Sequence, residues 1–155
     1  QAKQSLEEHL AKNSNDTVAI SIYLECLIKN KEIDKAKDFI LDLTEEILED
    51  PNIKPVLTSL KISEKNIKGP NLEVLKKAYT KDPKKIENLI SLSEKYFAEN
   101  LISDAFELLL NNFLKFQTKE QSHIKKTLIS FFSALGNENE QTILYRKKYS
   151  SILFS

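Results

Sequence analysis

One cysteine, two glycines and four prolines are spread over 155 residues, and methionine and tryptophan are absent. Each scarcity excludes something. A lone thiol, Cys26, rules out an internal disulfide and fits a reducing cytosol. Little glycine and proline leaves little material for hairpins and long loops, which favours an all-α chain. No run of about 18 apolar residues and no signal peptide are present, so no membrane partner is expected. Neither sign of charge prevails: 23 basic and 23 acidic residues cancel, leaving no electrostatic footprint for nucleic acid. No glycine-rich phosphate loop occurs, and no Ser/His/Asp set can be assembled.

The composition that remains, 41% apolar and 30% charged, is that of an ordinary globular chain with a real core. The cancelled charge is polarised along the sequence. Residues 1–50 hold 6 Lys against 12 acidic residues, whereas residues 51–155 hold 17 basic against 11 acidic ones. This reads first as a solvated acidic end and a solvated basic end.

The positive signal is an internal echo. Residues 16–48 and 85–117 align when shifted by 69, which places Leu89 under Ile20, Leu92 under Tyr23, Tyr96 under Leu27, Ala105 under Ala36 and Leu109 under Ile40. A shift of 69 is about twice the roughly 34-residue period of a tetratricopeptide array. Phasing on Ala36 and Ala105 exposes a degenerate copy between the two, starting near Asn52, with Ser59 at its small helix-packing position, then Ala78 and Pro83. Ser93 takes that small position in the last copy, and Leu24 departs from it in the first. Nine helices are predicted: 3–12, 16–29, 33–48, 55–66, 71–81, 84–98, 102–116, 121–135 and 139–153. Asn15 or Asp16 caps the second, Gly136 ends the eighth, and Asn137-x-x-Glu140 opens the ninth as a capping box. Lys31 and Asn100 fall at turns where glycine is usual.

The expected fold is therefore an all-α, TPR-like right-handed helical solenoid in a single domain. Residues 1–15 form a partial repeat, 16–50, 51–84 and 85–119 the repeats, and 120–155 two capping helices. Half a repeat at the N-terminus and a first residue other than Met suggest a piece of a longer protein.

Single residues give no chemistry. Cys26 lies on an apolar helix without a neighbouring His and reads as a packed side chain. His9 and His123 have no metal-ligand spacing, so no metal is expected. Glu7-Glu8 and Glu45-Glu46 are helix neighbours about 100° apart and do not converge. No enzyme, cofactor or small-molecule substrate is expected. In a TPR array the inner wall comes from the first helix of each repeat. Here it carries Val18, Ser21, Glu25 and Ile28, then Glu87, Ile90, Glu94 and Phe97. Ile, Phe and Glu on one wall suit extended or partly unfolded polypeptide; a carboxylate clamp of Lys and Asn is missing. Arg146, the one arginine among 23 basic residues, reads as a bidentate partner of an acidic side chain that pins the last helix, with partner binding by Tyr145 and Arg146 as the alternative.

The tail is more particular than the repeats. Leu128-Ile129-Ser130-Phe131-Phe132-Ser133-Ala134-Leu135-Gly136-Asn137, followed by Tyr145-Arg146-Lys147-Lys148, resembles the C-terminal end of the YbbN-like thioredoxin-family co-chaperones, the chaperedoxins. Asp104-Ala105-Phe106-Glu107-Leu108-Leu109-Leu110 resembles a helix of the same family. The resemblance implies the TPR domain of a bacterial cytoplasmic co-chaperone that holds unfolding client proteins and contacts chaperonin. The thioredoxin-like domain of that family is not in these residues, so no redox chemistry carries over. A TPR scaffold joining defined folded partners is the other reading.

Overall fold

The computed structural model describes all of residues 1–155 and is entirely helical. It divides into two compact units, Gln1–Glu64 and Lys65–Ser155.

The first unit holds α1 (Ala2–Lys12), α2 (Thr17–Lys29), α3 (Ile33–Leu41), α4 (Glu45–Leu48) and most of α5 (Lys54–Ile67). Asp16 starts α2: its side chain accepts from the Ala19 N–H at 3.0 Å. The helix ends in a Schellman turn, with Lys31 N–H on the Ile28 carbonyl and Glu32 N–H on the Leu27 carbonyl. That turn holds Lys31 at φ 60. α2 and α3 bury Ile20, Leu24, Leu27 and Ala36 against Ile53, Val56 and Leu60. The helix expected over 33–48 is broken, because Thr44 turns extended and accepts from the Ile47 N–H, opening α4 afresh. This break makes ten helices where nine are expected. In α5 the buried side chains include Val56 and Leu60, with Ser59 only half-buried. The packing register is thus one residue off the expectation that Ser59 is the close-approach position.

The second unit holds α6 (Leu72–Lys81), α7 (Ile86–Ala98), α8 (Ile102–Asn112), a 3-10 turn over Phe113–Lys115, α9 (Thr118–Leu135) and α10 (Glu140–Leu153). The end of α7 repeats the end of α2. Asn100 N–H meets the Phe97 carbonyl, Leu101 N–H meets the Tyr96 carbonyl, and Asn100 sits at φ 62. Each of these groups lies 69 residues after its counterpart, so the echo in sequence is an echo in backbone hydrogen bonding. α9 opens with a capping box of Gln117 and Glu120, three residues before its expected start. It ends at Gly136, φ 87 and ψ 159, a positive φ that favours glycine but not the left-handed helical cap expected. Asn139, not Asn137, caps α10 by accepting from the Gln141 N–H at 2.9 Å. α9 packs on α7 and α8, and α10 packs on α8 and α9. Together they bury an aromatic cluster: Phe106 stacks on Tyr145 at 4.5 Å and meets Phe131 edge-on at 5.6 Å. Phe106 and Phe131 are fully buried. Aromatic burial of this kind contributes about 1.5–3 kcal/mol per side chain, with about 0.5–1.5 kcal/mol more per ring pair.

Candidate protein-binding surface

The duplicated first helices, α2 and α7, present different surfaces. On α2, Val18 is 53% exposed and Ile22 44% exposed. Glu25 is exposed as well, and the spacing i, i+4, i+7 puts all three on one stripe. Ser21 is half-buried and spends its hydroxyl on the Val18 carbonyl at 2.8 Å. Ile28 is partly buried and packs on the core of the first unit, so it supports the stripe from below. Tyr23 braces the helix from the other side. Its ring meets Phe39 edge-on at 5.0 Å and its hydroxyl donates to Glu7 at 3.0 Å. Desolvation, with the Glu7 carboxylate beside it, pushes the Tyr23 phenol up to about 12.

On α7 the equivalent face is largely used up. Phe97 is buried and stacks on Phe131 of α9, with centroids 4.3 Å apart and planes 11° from parallel. The expectation that Phe97 lines an open wall is therefore corrected: α9 lies over that end of α7. Glu94 is paired with Lys65 at 2.5 Å and its side chain is only 17% exposed. Ile90 is half-buried, and Glu87 is exposed. Among the expected wall positions, the open ones are Val18 and Glu25 on α2 and Glu87 on α7. Ile22, overlooked in the sequence, completes the α2 stripe; its position four residues after Val18 was the available signal.

In α10, Tyr145 is buried in the aromatic cluster and is not a surface residue. Arg146 does not pair with an acid. It donates from Nη2 to Asn137 Oδ1 at 2.9 Å and lies 5.2 Å from the Phe132 ring centroid. The bidentate acid pair expected of Arg146 is replaced by a side-chain amide and an aromatic face. The ion pair that fastens α10 is Lys148 to Glu107 at 2.5 Å, and that hydrogen bond raises the Lys148 ammonium above its ordinary 10.5.

The Ala19 N–H, with His9 at 2.8 Å beside it, holds the Asp16 carboxyl below its ordinary 3.8. His123 is exposed on α9, and Cys26 is a free, half-buried thiol. No three His, Cys, Asp or Glu side chains converge as a metal site. A shallow depression of about 420 Å³ in the second unit is lined by Asn71, Leu72, Glu73, Lys95, Glu99 and Leu101. Its one cation, Lys95, is buried and committed to the Asn66 carbonyl at 2.9 Å, near the C-terminus of α5. No helix is long and apolar enough to cross a membrane.

A tetratricopeptide repeat family model matches residues 65–154, which is nearly the whole second unit. Comparison with curated proteins gives no match. Among solved structures, the chain is similar to the crystal structure of a domain of protein VP0806, of unknown function, from Vibrio parahaemolyticus. The identity is 21%, the TM-score 0.50, and 98% of each chain is covered. That likeness is one of fold alone. With a matched segment that spans more than half of its residues, and with the duplicated helical hairpin and its two superposable Schellman turns, the chain belongs to the tetratricopeptide repeat family.

Proposed function

We propose that this chain is a non-catalytic protein-binding module of a YbbN-like co-chaperone, and that it holds unfolding polypeptide on the α2 face. The observation that carries the reading is the exposed Val18–Ile22 stripe with Glu25 beside it. Two adjacent aliphatic side chains on a braced helix offer apolar contact without a deep pocket. Such a surface suits many short hydrophobic segments in turn. The tail resemblance, Leu128–Asn137 with Tyr145–Lys148, is what connects the module to that co-chaperone family, and contact with chaperonin follows from the same resemblance. No nucleotide or metal enters the mechanism; capture and release are equilibrium burial of apolar side chains.

Light scattering from a heated client tests this. Excess wild-type protein should delay aggregation, and Val18→Glu with Ile22→Glu should remove the delay while leaving the module folded. Aggregation at the same rate with and without the wild-type protein rejects the holding activity. Retrieval of one folded partner in fixed stoichiometry, with no effect on aggregation, selects the scaffold reading.

A further inference from the structure

The two units carry opposite charge, and each has an apolar side chain standing out of its charged face. Gln1–Glu64 holds 8 basic and 13 acidic residues; Lys65–Ser155 holds 15 basic and 10 acidic ones. On α3, Asp34, Asp38 and Leu41 fall at i, i+4 and i+7, hence on one stripe. Leu41 is 82% exposed, and the exposed acids Asp42, Glu45 and Glu46 follow it directly. The cations of α3, Lys35 and Lys37, bind Glu32 at its N-cap and Glu64 on α5. On α10, Ile143, Lys147, Ser150 and Phe154 fall at i, i+4, i+7 and i+11, another single stripe. Ile143 is 59% exposed and Phe154 87% exposed, with Leu144 exposed beside them. This helix is apolar on its outer side as well as toward the aromatic cluster, the pattern of a helix covered on both sides. Two charges share this stripe, Glu140 at its start and Lys147 at its middle; Lys147 is exposed and makes no ion pair.

We infer that copies of this chain associate head to tail, the α10 stripe of one copy lying on the α3 stripe of the next. The chemistry on the two sides matches. Leu41 supplies an apolar contact for Ile143 and Phe154, and Lys147 meets the Asp34–Asp38 row. Because the two surfaces differ, the contact is heterologous and propagates from copy to copy. One helix face per copy buries less than about 1,200 Å², so the association is weak and salt-sensitive.

Sedimentation velocity tests it with wild-type protein and two surface variants, Leu41→Lys and Ile143→Glu. At low salt the wild-type sedimentation coefficient should rise with concentration through dimers to longer species, and should fall back on adding salt. Each variant alone should stay monomeric, because each has lost one of the two surfaces. An equimolar mixture of the variants should then form a dimer and nothing larger, since each retains the half the other lacks. Circular dichroism of each variant checks that it is folded. A wild-type protein that stays monomeric at every concentration and salt overturns the proposal. So does a mixture of folded variants that remains monomeric, or self-association of either variant alone. These outcomes are independent of the α2 surface, so they separate from success or failure of the holding assay.

Discussion

Lys31 and Asn100 occupy equivalent left-handed positions, but the two residues tolerate φ near 60 unequally. A lysine Cβ crowds the following carbonyl there at a cost of about 1–2 kcal/mol, whereas asparagine offsets part of that by local hydrogen bonding. Lys31→Gly should therefore raise stability by about 1 kcal/mol, and Asn100→Gly by less, read as midpoints of urea unfolding. Thr142 argues the converse case. It is fully buried and its hydroxyl has no hydrogen-bond partner. Thr142→Val keeps the shape and removes the unsatisfied group, so thermal melting should move upward by the equivalent of about 1 kcal/mol. For Arg146, replacement by Lys gives up the planar donor toward Asn137 and the broad contact on Phe132. The expected loss is about 0.5–1 kcal/mol, seen in melting and not in client binding.

At the scale of elements, stability is concentrated where helices share aromatic rings. Phe131 touches both Phe97 of α7 and Phe106 of α8, so Phe131→Ala should cost the second unit about 3–5 kcal/mol and release α9 from both helices. Hydrogen exchange along α7 would report it as lost protection near Phe97. α1 packs Leu6 and Leu10 on the core of the first unit and adds the Lys3–Glu32 ion pair at 2.7 Å, with Lys35 on the other carboxylate oxygen. Those two ammonium groups pull Glu32 from its ordinary 4.5 down to about 2. A depressed acid stabilises the folded state above its unfolded value and loses that contribution as the pH falls. Docking of α1 should thus be intact above about 4.5 and loosen as the pH falls through about 2, read as exchange of the α1 amides. Lys3→Met should remove this contribution at every pH, so that the α1 amides exchange faster at neutral pH and lose the acid-dependent step.

For the molecule as a whole, the helical repeat was readable because two of its determinants are local. Apolar spacing fixes which face of each helix is buried, and the paired turns after Lys29 and Ala98 are set by backbone hydrogen bonding that the 69-residue echo preserves. The middle copy was harder to phase. Its packing residues, Val56 and Leu60, are apolar in a helix with other apolar candidates, and only the burial pattern selects among them. The binding surface was legible in part. Val18 and Glu25 stand where the repeat puts them, but the fate of Phe97 depends on Phe131 of α9, more than 30 residues later in the chain, whose docking no local pattern announces. The same long-range packing turned Tyr145 inward and gave Arg146 an amide and a ring in place of an acid. What survives is asymmetric: a first repeat with its α2 face open, and a last repeat whose α7 is covered at the Phe97 end. The most direct measurement of this account is a residue-resolved NMR titration of the folded protein with a permanently unfolded client. Shifts and line broadening should concentrate at Val18, Ile22 and Glu25 and leave the amide of Phe97 unmoved. Perturbation centred on α7 and α9 with α2 silent, or no perturbation at a saturating client concentration, would contradict it.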